Sequence, residues 1–91
     1  MSSCFVYILG AVSGARALTY VGWTTDLARR LKQHNGGSGA RSTRGRQWVL
    51  LYSENCSGKR HAMSREWHLK RDRSLRKRLL QTLATPALTA R

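Results

Sequence analysis

Two apolar segments, FVYILGAV over residues 5–12 and ALTYVGW over residues 17–23, stand only four residues apart. Between them lies Ser13-Gly14-Ala15-Arg16, a run of small turn-forming residues. Both segments are rich in β-branched and aromatic side chains, which favour extended chain. Two such strands around a glycine-containing turn predict an antiparallel hairpin. One face of it packs on helices, and the other carries Tyr7 and Tyr20.

The chain after the hairpin reads as one further strand and three helices. Thr25 or Asp26 caps a helix over residues 26–35, where Leu27, Leu31 and His34 recur at helical spacing. Asn35-Gly36-Gly37 stops it, because Asn and Gly tolerate the backbone that ends a helix. Residues 38–46 form a basic, glycine-bearing loop, and QWVLLYS over residues 47–53 is the third strand. Ser57 or Gly58 opens a second helix running to about Arg71, with Ala62, Glu66 and Leu69 along one side. Asp72-Arg73-Ser74 interrupts it, and Leu75, Leu79, Leu80 and Leu83 give a third helix its core face. The expected architecture is α+β: a three-stranded antiparallel sheet flanked by three helices. It is a single domain over residues 1–91, with residues 84–91 as a loose tail after the third helix.

Charge narrows the partners. Seventeen Lys and Arg against four Asp and Glu give a net charge of +13, and 41% of the residues are apolar. That apolar share excludes a disordered basic tail, and the charge calls for an acidic partner such as nucleic acid. The basics are unevenly placed: six lie in residues 29–46 and nine in residues 59–78, on helices and one loop rather than on strands. No apolar run approaches the ~20 residues needed to span a bilayer. No basic segment followed by an apolar stretch opens the chain, so no secretory signal is expected. Cys4 and Cys56 match no metal or redox motif and read as two buried thiols in a reducing cytoplasm.

With only four acids, each can be weighed. Asp26 fits a helix cap, Asp72 fits a cap or a local ion pair between helices, and Glu54 at the end of the third strand reads as solvated. Glu66 lies mid-helix near the apolar face, where a carboxylate either binds a metal or pairs with Arg65, Lys70 or Arg30. Ion pairing is the commoner fate for such a residue. Tyr7 and Tyr20 occupy strand centres, where aromatics usually pack, yet they also place two phenols within reach of one cleft. His34, one turn after Arg30, suits either a helix end or a general base.

Taken together, Val6-Tyr7-Ile8, Tyr20-Val21-Gly22, Arg30, His34 and a later helical Glu66 resemble the GIY-YIG nuclease family. The run YVGWTTDLARRLKQHN, the loop ARSTRGR and the segment SREWHLKR are similar to its small stand-alone bacterial members. The first motif reads Phe5-Val6-Tyr7 without the leading glycine, and no asparagine follows Asn55.

The resemblance implies a divalent-metal-dependent endonuclease that hydrolyses phosphodiester bonds in DNA, in repair or processing. It implies Glu66 as the single protein ligand to Mg2+ or Mn2+, which keeps mostly water ligands. Tyr7 or Tyr20 would activate water with help from His34, and Arg30 would clamp a phosphate oxygen with its planar fork. Arg29, Lys32, Arg41, Arg44, Arg46, Arg65 and Lys70 are the residues expected to meet the DNA backbone. With no separate recognition domain expected, selectivity for single-stranded or branched DNA is favoured over sequence specificity. The alternatives are a non-catalytic nucleic-acid-binding module and a nuclease subunit active only with a partner protein that supplies recognition. Trp23, Trp48 and Trp67 could stack on unpaired bases, although a core role is the better account of Trp48.

Overall fold

The computed structural model describes residues 3–13 and 16–84. Three antiparallel strands, β1 (Cys4–Ser13), β2 (Arg16–Thr24) and β3 (Val49–Cys56), form a sheet in the order β2-β1-β3. Helix α1 (Leu27–Asn35) follows the hairpin, while α2 (Lys59–Arg71) and α3 (Arg73–Ala84) close the chain. The α+β architecture expected from the sequence is the one observed. Residues 14 and 15 of the hairpin turn and residues 85–91 of the expected tail lie outside the described residues; Ala84, assigned to that tail, ends α3.

The continuous apolar character of β1 follows from its central position. Cys4, Val6 and Ile8 join Val21, Cys56, Ala62 and Leu69 in one core, against which Leu75 and Leu79 of α3 also pack. Tyr7, Leu9 and Ala11 point the other way, into a second core with Trp48, Tyr20, Leu27 and Leu31. A strand with period-2 side chains can be apolar throughout only where both faces are covered. Full burial of each large aliphatic residue contributes about 1.5–3 kcal/mol, so β1 anchors both halves of the molecule.

Local chemistry sets the element ends. Asp26 caps α1, its carboxylate accepting the Arg29 amide at 3.1 Å. Asp72 separates α2 from α3 and caps α3, accepting the Leu75 amide at 3.0 Å. Helix α3 therefore starts two residues earlier than its leucine pattern indicates. Arg76 ties the helices down, donating to the Lys70 carbonyl at 2.7 Å and to Thr19 of β2 at 3.3 Å. Cys4 and Cys56 face each other across β1 and β3 as buried free thiols.

Two expectations are corrected. The third strand starts at Val49 rather than Gln47, because the Asn35 side chain occupies both backbone groups of Trp48. It also continues to Cys56, since β1 begins early enough to pair with it. Glu54 is not a solvated strand end. It pairs with Val6 on the face covered by α2, where Arg65 donates to both its oxygens at 2.7 Å. The Tyr52 hydroxyl donates to the same carboxylate. The Arg65 guanidinium holds the Glu54 carboxyl down at about 2. Among the described residues, no helix is long and apolar enough to cross a membrane.

Candidate active site at the Tyr7–His34 pair

Tyr7 reaches its place because the residue opposite it has no side chain. In the hairpin register Tyr7 pairs with Gly22, and Tyr20 stands two residues along on the same face. A Cβ on Gly22 would lie 2.7 Å from the Tyr7 hydroxyl oxygen and 3.0 Å from Tyr20. Any larger residue would displace one of the two phenols. Helix α1 covers this face and contributes Arg30 and His34, which the i, i+4 spacing sets one above the other.

His34 is fully buried, 0% exposed, and both ring nitrogens are engaged. Its Nε2 lies 2.9 Å from the Tyr7 hydroxyl, and its Nδ1 lies 2.8 Å from the Thr43 hydroxyl. The Thr43 hydroxyl is itself 2.7 Å from the Ala40 carbonyl oxygen. That last contact sets the direction of the chain. A carbonyl can only accept, so the single Thr43 proton goes to Ala40. Thr43 must then accept from His34, which puts the imidazole proton on Nδ1. Nε2 is left with a lone pair, and the Tyr7 hydroxyl donates to it.

The loop carrying Thr43 is fixed from both sides. Asn35 accepts from the Trp48 amide and donates to its carbonyl, while the Trp48 indole N–H donates to the Thr43 carbonyl at 2.8 Å. Trp48 is thus a core residue, and its ring lies 6.4 Å from that of Tyr20. Gly39 allows the loop to approach closely: a Cβ there would come within 2.5 Å of His34 Nδ1. Thr43 was not legible as a site residue, because a lone threonine in an arginine-rich loop carries no spacing signal. The short turn Arg41–Thr43 and the small residues before it are the only local hints.

The electrostatics follow from burial and from Arg30. Burial pushes the Tyr7 phenol up, the Arg30 guanidinium pulls it back down, and the Tyr20 and Glu66 side chains push it up. Burial lowers His34, and the positive charge of Arg30 lowers it further. Hydrogen bonding to Tyr7 keeps Arg30 more firmly charged. Arg30 also donates to Gln33 at 3.0 Å, which orients it along α1. Beside it opens a cleft of about 340 Å³ lined by Trp23, Thr24, Thr25, Asp26, Arg29, Arg30 and Gln33.

Glu66 comes from α2, on the other side of the sheet, yet its charge acts on the Tyr7 phenol. Its carboxylate meets Lys70 at 3.1 Å, the ion pair that helical spacing allows. Among the described residues, no three His, Cys, Asp or Glu side chains converge to form a metal cage. Tyr7, Tyr20, Arg30 and His34 are therefore brought together, with Glu66 within electrostatic reach. Arg29, Lys32, Arg41 and Arg44 are exposed on α1 and its following loop, and Arg46 is half-buried. Arg65 is held by Glu54, and Lys70 by Glu66.

Residues 3–79 match the GIY-YIG catalytic domain. The chain belongs to the GIY-YIG family, a family of nuclease domains that act on nucleic acid. Similar proteins within it include several designated UPF0213. One from Clostridium perfringens is 46% identical over 68 residues, covering 74% of this chain and 70% of its own. One from the archaeon Halobacterium salinarum is 42% identical, covering 71% and 82% respectively. The solution NMR structure of a UPF0213 protein from Bacillus halodurans is 34% identical, covers 93% of this chain and 89% of its own, and superposes with a TM-score of 0.49.

Proposed function

We propose that this protein is a divalent-metal-dependent endonuclease that hydrolyses phosphodiester bonds in DNA, in repair or processing inside the cytoplasm. The directed chain from Tyr7 through His34 and Thr43 to Ala40 carries this reading. It leaves a neutral imidazole with its lone pair aimed at a phenol, an arrangement that packing alone does not require.

Burial raises the phenol and lowers the imidazole, so a resting phenolate–imidazolium pair is disfavoured. The proton of Tyr7 instead passes to His34 Nε2 as a substrate-bound water gives its own proton to the phenol oxygen. The resulting hydroxide attacks phosphorus, and the bond to the leaving oxygen breaks, that oxygen taking up a proton from solvent water while His34 later releases its own. Arg30 meets the extra negative charge on the phosphoryl oxygens, a role worth about 10²–10³ in rate for one such donor.

The Glu66 carboxylate suits Mg2+ or Mn2+. It is 22% exposed and already pairs with a cationic Lys70 Nζ. A single carboxylate completed by water and substrate phosphate is a usual setting for Mg2+. When bound there, the metal would supply charge stabilisation at the scissile phosphate.

A non-catalytic nucleic-acid-binding module, or a nuclease subunit that needs a protein partner, would use the +13 charge equally well. The test is nicking of supercoiled plasmid by the purified chain with Mg2+ or Mn2+. The expected result is cleavage that chelator and Glu66→Ala both abolish while DNA binding persists. Cleavage at the wild-type rate by Glu66→Ala, Tyr7→Phe and Tyr20→Phe alike would reject the enzyme reading.

A further inference from the structure

The outer face of α2 carries an apolar strip that the fold leaves uncovered. Ala62 and Leu69 point into the core and Arg65 is taken by Glu54. On the opposite side Met63 and Trp67, one turn apart, are 49% and 54% exposed. The Arg71 guanidinium lies 4.1 Å from the centre of the Trp67 ring, in cation–π contact. At the other end of the strip, Lys59 and Arg60 share an open hollow with Met63. Glu66 is the only acid in α2, and Lys70 pairs with it.

We infer that this face binds an unpaired stretch of a nucleic-acid strand, with a base stacked on Trp67 and the flanking phosphates met by Arg71 and Arg60. Charge selects an anionic polymer, because the exposed charges along the strip are basic. The aromatic and thioether surface selects one whose bases are free to stack. Duplex bases are already stacked on each other and offer such a helix phosphates and base edges, but no free ring face. The inference rests on the nucleic-acid reading above, and it names the substrate class as DNA with an unpaired segment.

The experiment measures binding without cleavage, in chelator, to a fluorescent oligo-dT and to a hairpin duplex of equal nucleotide count. Trp67→Ala should weaken oligo-dT binding by about tenfold, the usual scale for one lost stacking contact. Duplex binding should change less than twofold. Trp67→Phe should restore most of the oligo-dT affinity, and circular dichroism should report the wild-type fold in both variants. Equal weakening on both probes, or no change on either, would overturn the inference. So would Trp67-dependent binding to anionic phospholipid vesicles without any preference for oligo-dT. Absence of cleavage with this selectivity intact would reject the nuclease reading and leave the stacking surface standing.

Discussion

The Tyr7 hydroxyl and His34 Nε2 are 2.9 Å apart, and the hydrogen bond between them runs one way, from phenol to imidazole. The direction is set two residues away, where Thr43 gives its only proton to the Ala40 carbonyl. Each component of this arrangement can be altered separately.

Tyr7→Phe keeps the packing volume and removes the donor to His34. Plasmid cleavage should fall by about 10²-fold or more, on the scale of lost acid–base assistance. Thermal unfolding should show a loss of about 1–2 kcal/mol, because a buried imidazole nitrogen loses its partner. Tyr20→Phe leaves both His34 bonds intact and should cost less on both measures.

Thr43→Val should free His34 to move its proton to Nε2, since Nδ1 loses its acceptor. Imidazole ¹⁵N shifts would report the change of tautomer, and cleavage should drop by about 10–100-fold, as for other partners that orient a histidine. Thr43→Ser should restore both. An unchanged tautomer in Thr43→Val would contradict the assigned direction.

Gly22→Ala tests the opening over β2. The added methyl would stand 2.7 Å from the Tyr7 oxygen and 3.0 Å from Tyr20, so a phenol must shift. Overpacking of this kind costs about 1–3 kcal/mol. Loss of activity with the fold retained by circular dichroism is the expected outcome.

Stability should fall with acid in two separate windows. His34 is lowered in the folded protein, so the unfolded chain binds the extra proton first. Its contribution is complete above the ordinary histidine value, ~6.5, and is lost as pH falls below it. Glu54, held at about 2, contributes above its ordinary value and loses that contribution as pH falls towards 2. Denaturant titrations should show His34→Gln flattening the upper window and Glu54→Gln the lower one.

Lys70 shields the carboxylate proposed to hold the metal. Replacing it with Gln removes the ammonium 3.1 Å from Glu66. The Mg2+ concentration for half-maximal cleavage should drop several-fold, and Glu66→Ala should show no cleavage at any Mg2+ concentration tested. A higher Mg2+ requirement in Lys70→Gln would show that Lys70 supports the site.

Much of this architecture is written locally. The hairpin, the Asp26 cap and the leucine face of α3 follow from adjacent residues and were legible as such. Glu54 was not, because its partner Arg65 is eleven residues on and meets it only when α2 packs on β3. Nor was the start of β3, which depends on Asn35 reaching across to Trp48. In the site, Tyr7, Tyr20, Arg30, His34 and Glu66 stood out by motif. Thr43 did not, since its role exists only once the loop is pinned against α1.

The double-sided burial of β1 makes the proposed cleavage centre mechanically stiff. Residues 6–9 of β1 are 0–1% exposed and are hydrogen-bonded to strands on both sides. Their amides should therefore exchange with deuterium only through whole-molecule opening. Tyr7 is thus carried on the central, doubly covered strand, and in its proposed role it has little freedom to follow a misaligned phosphate. If the proposed endonuclease activity holds, a DNA strand arriving at the wrong angle has to bend to be cut, and the deformability of the substrate becomes a determinant of where the backbone breaks.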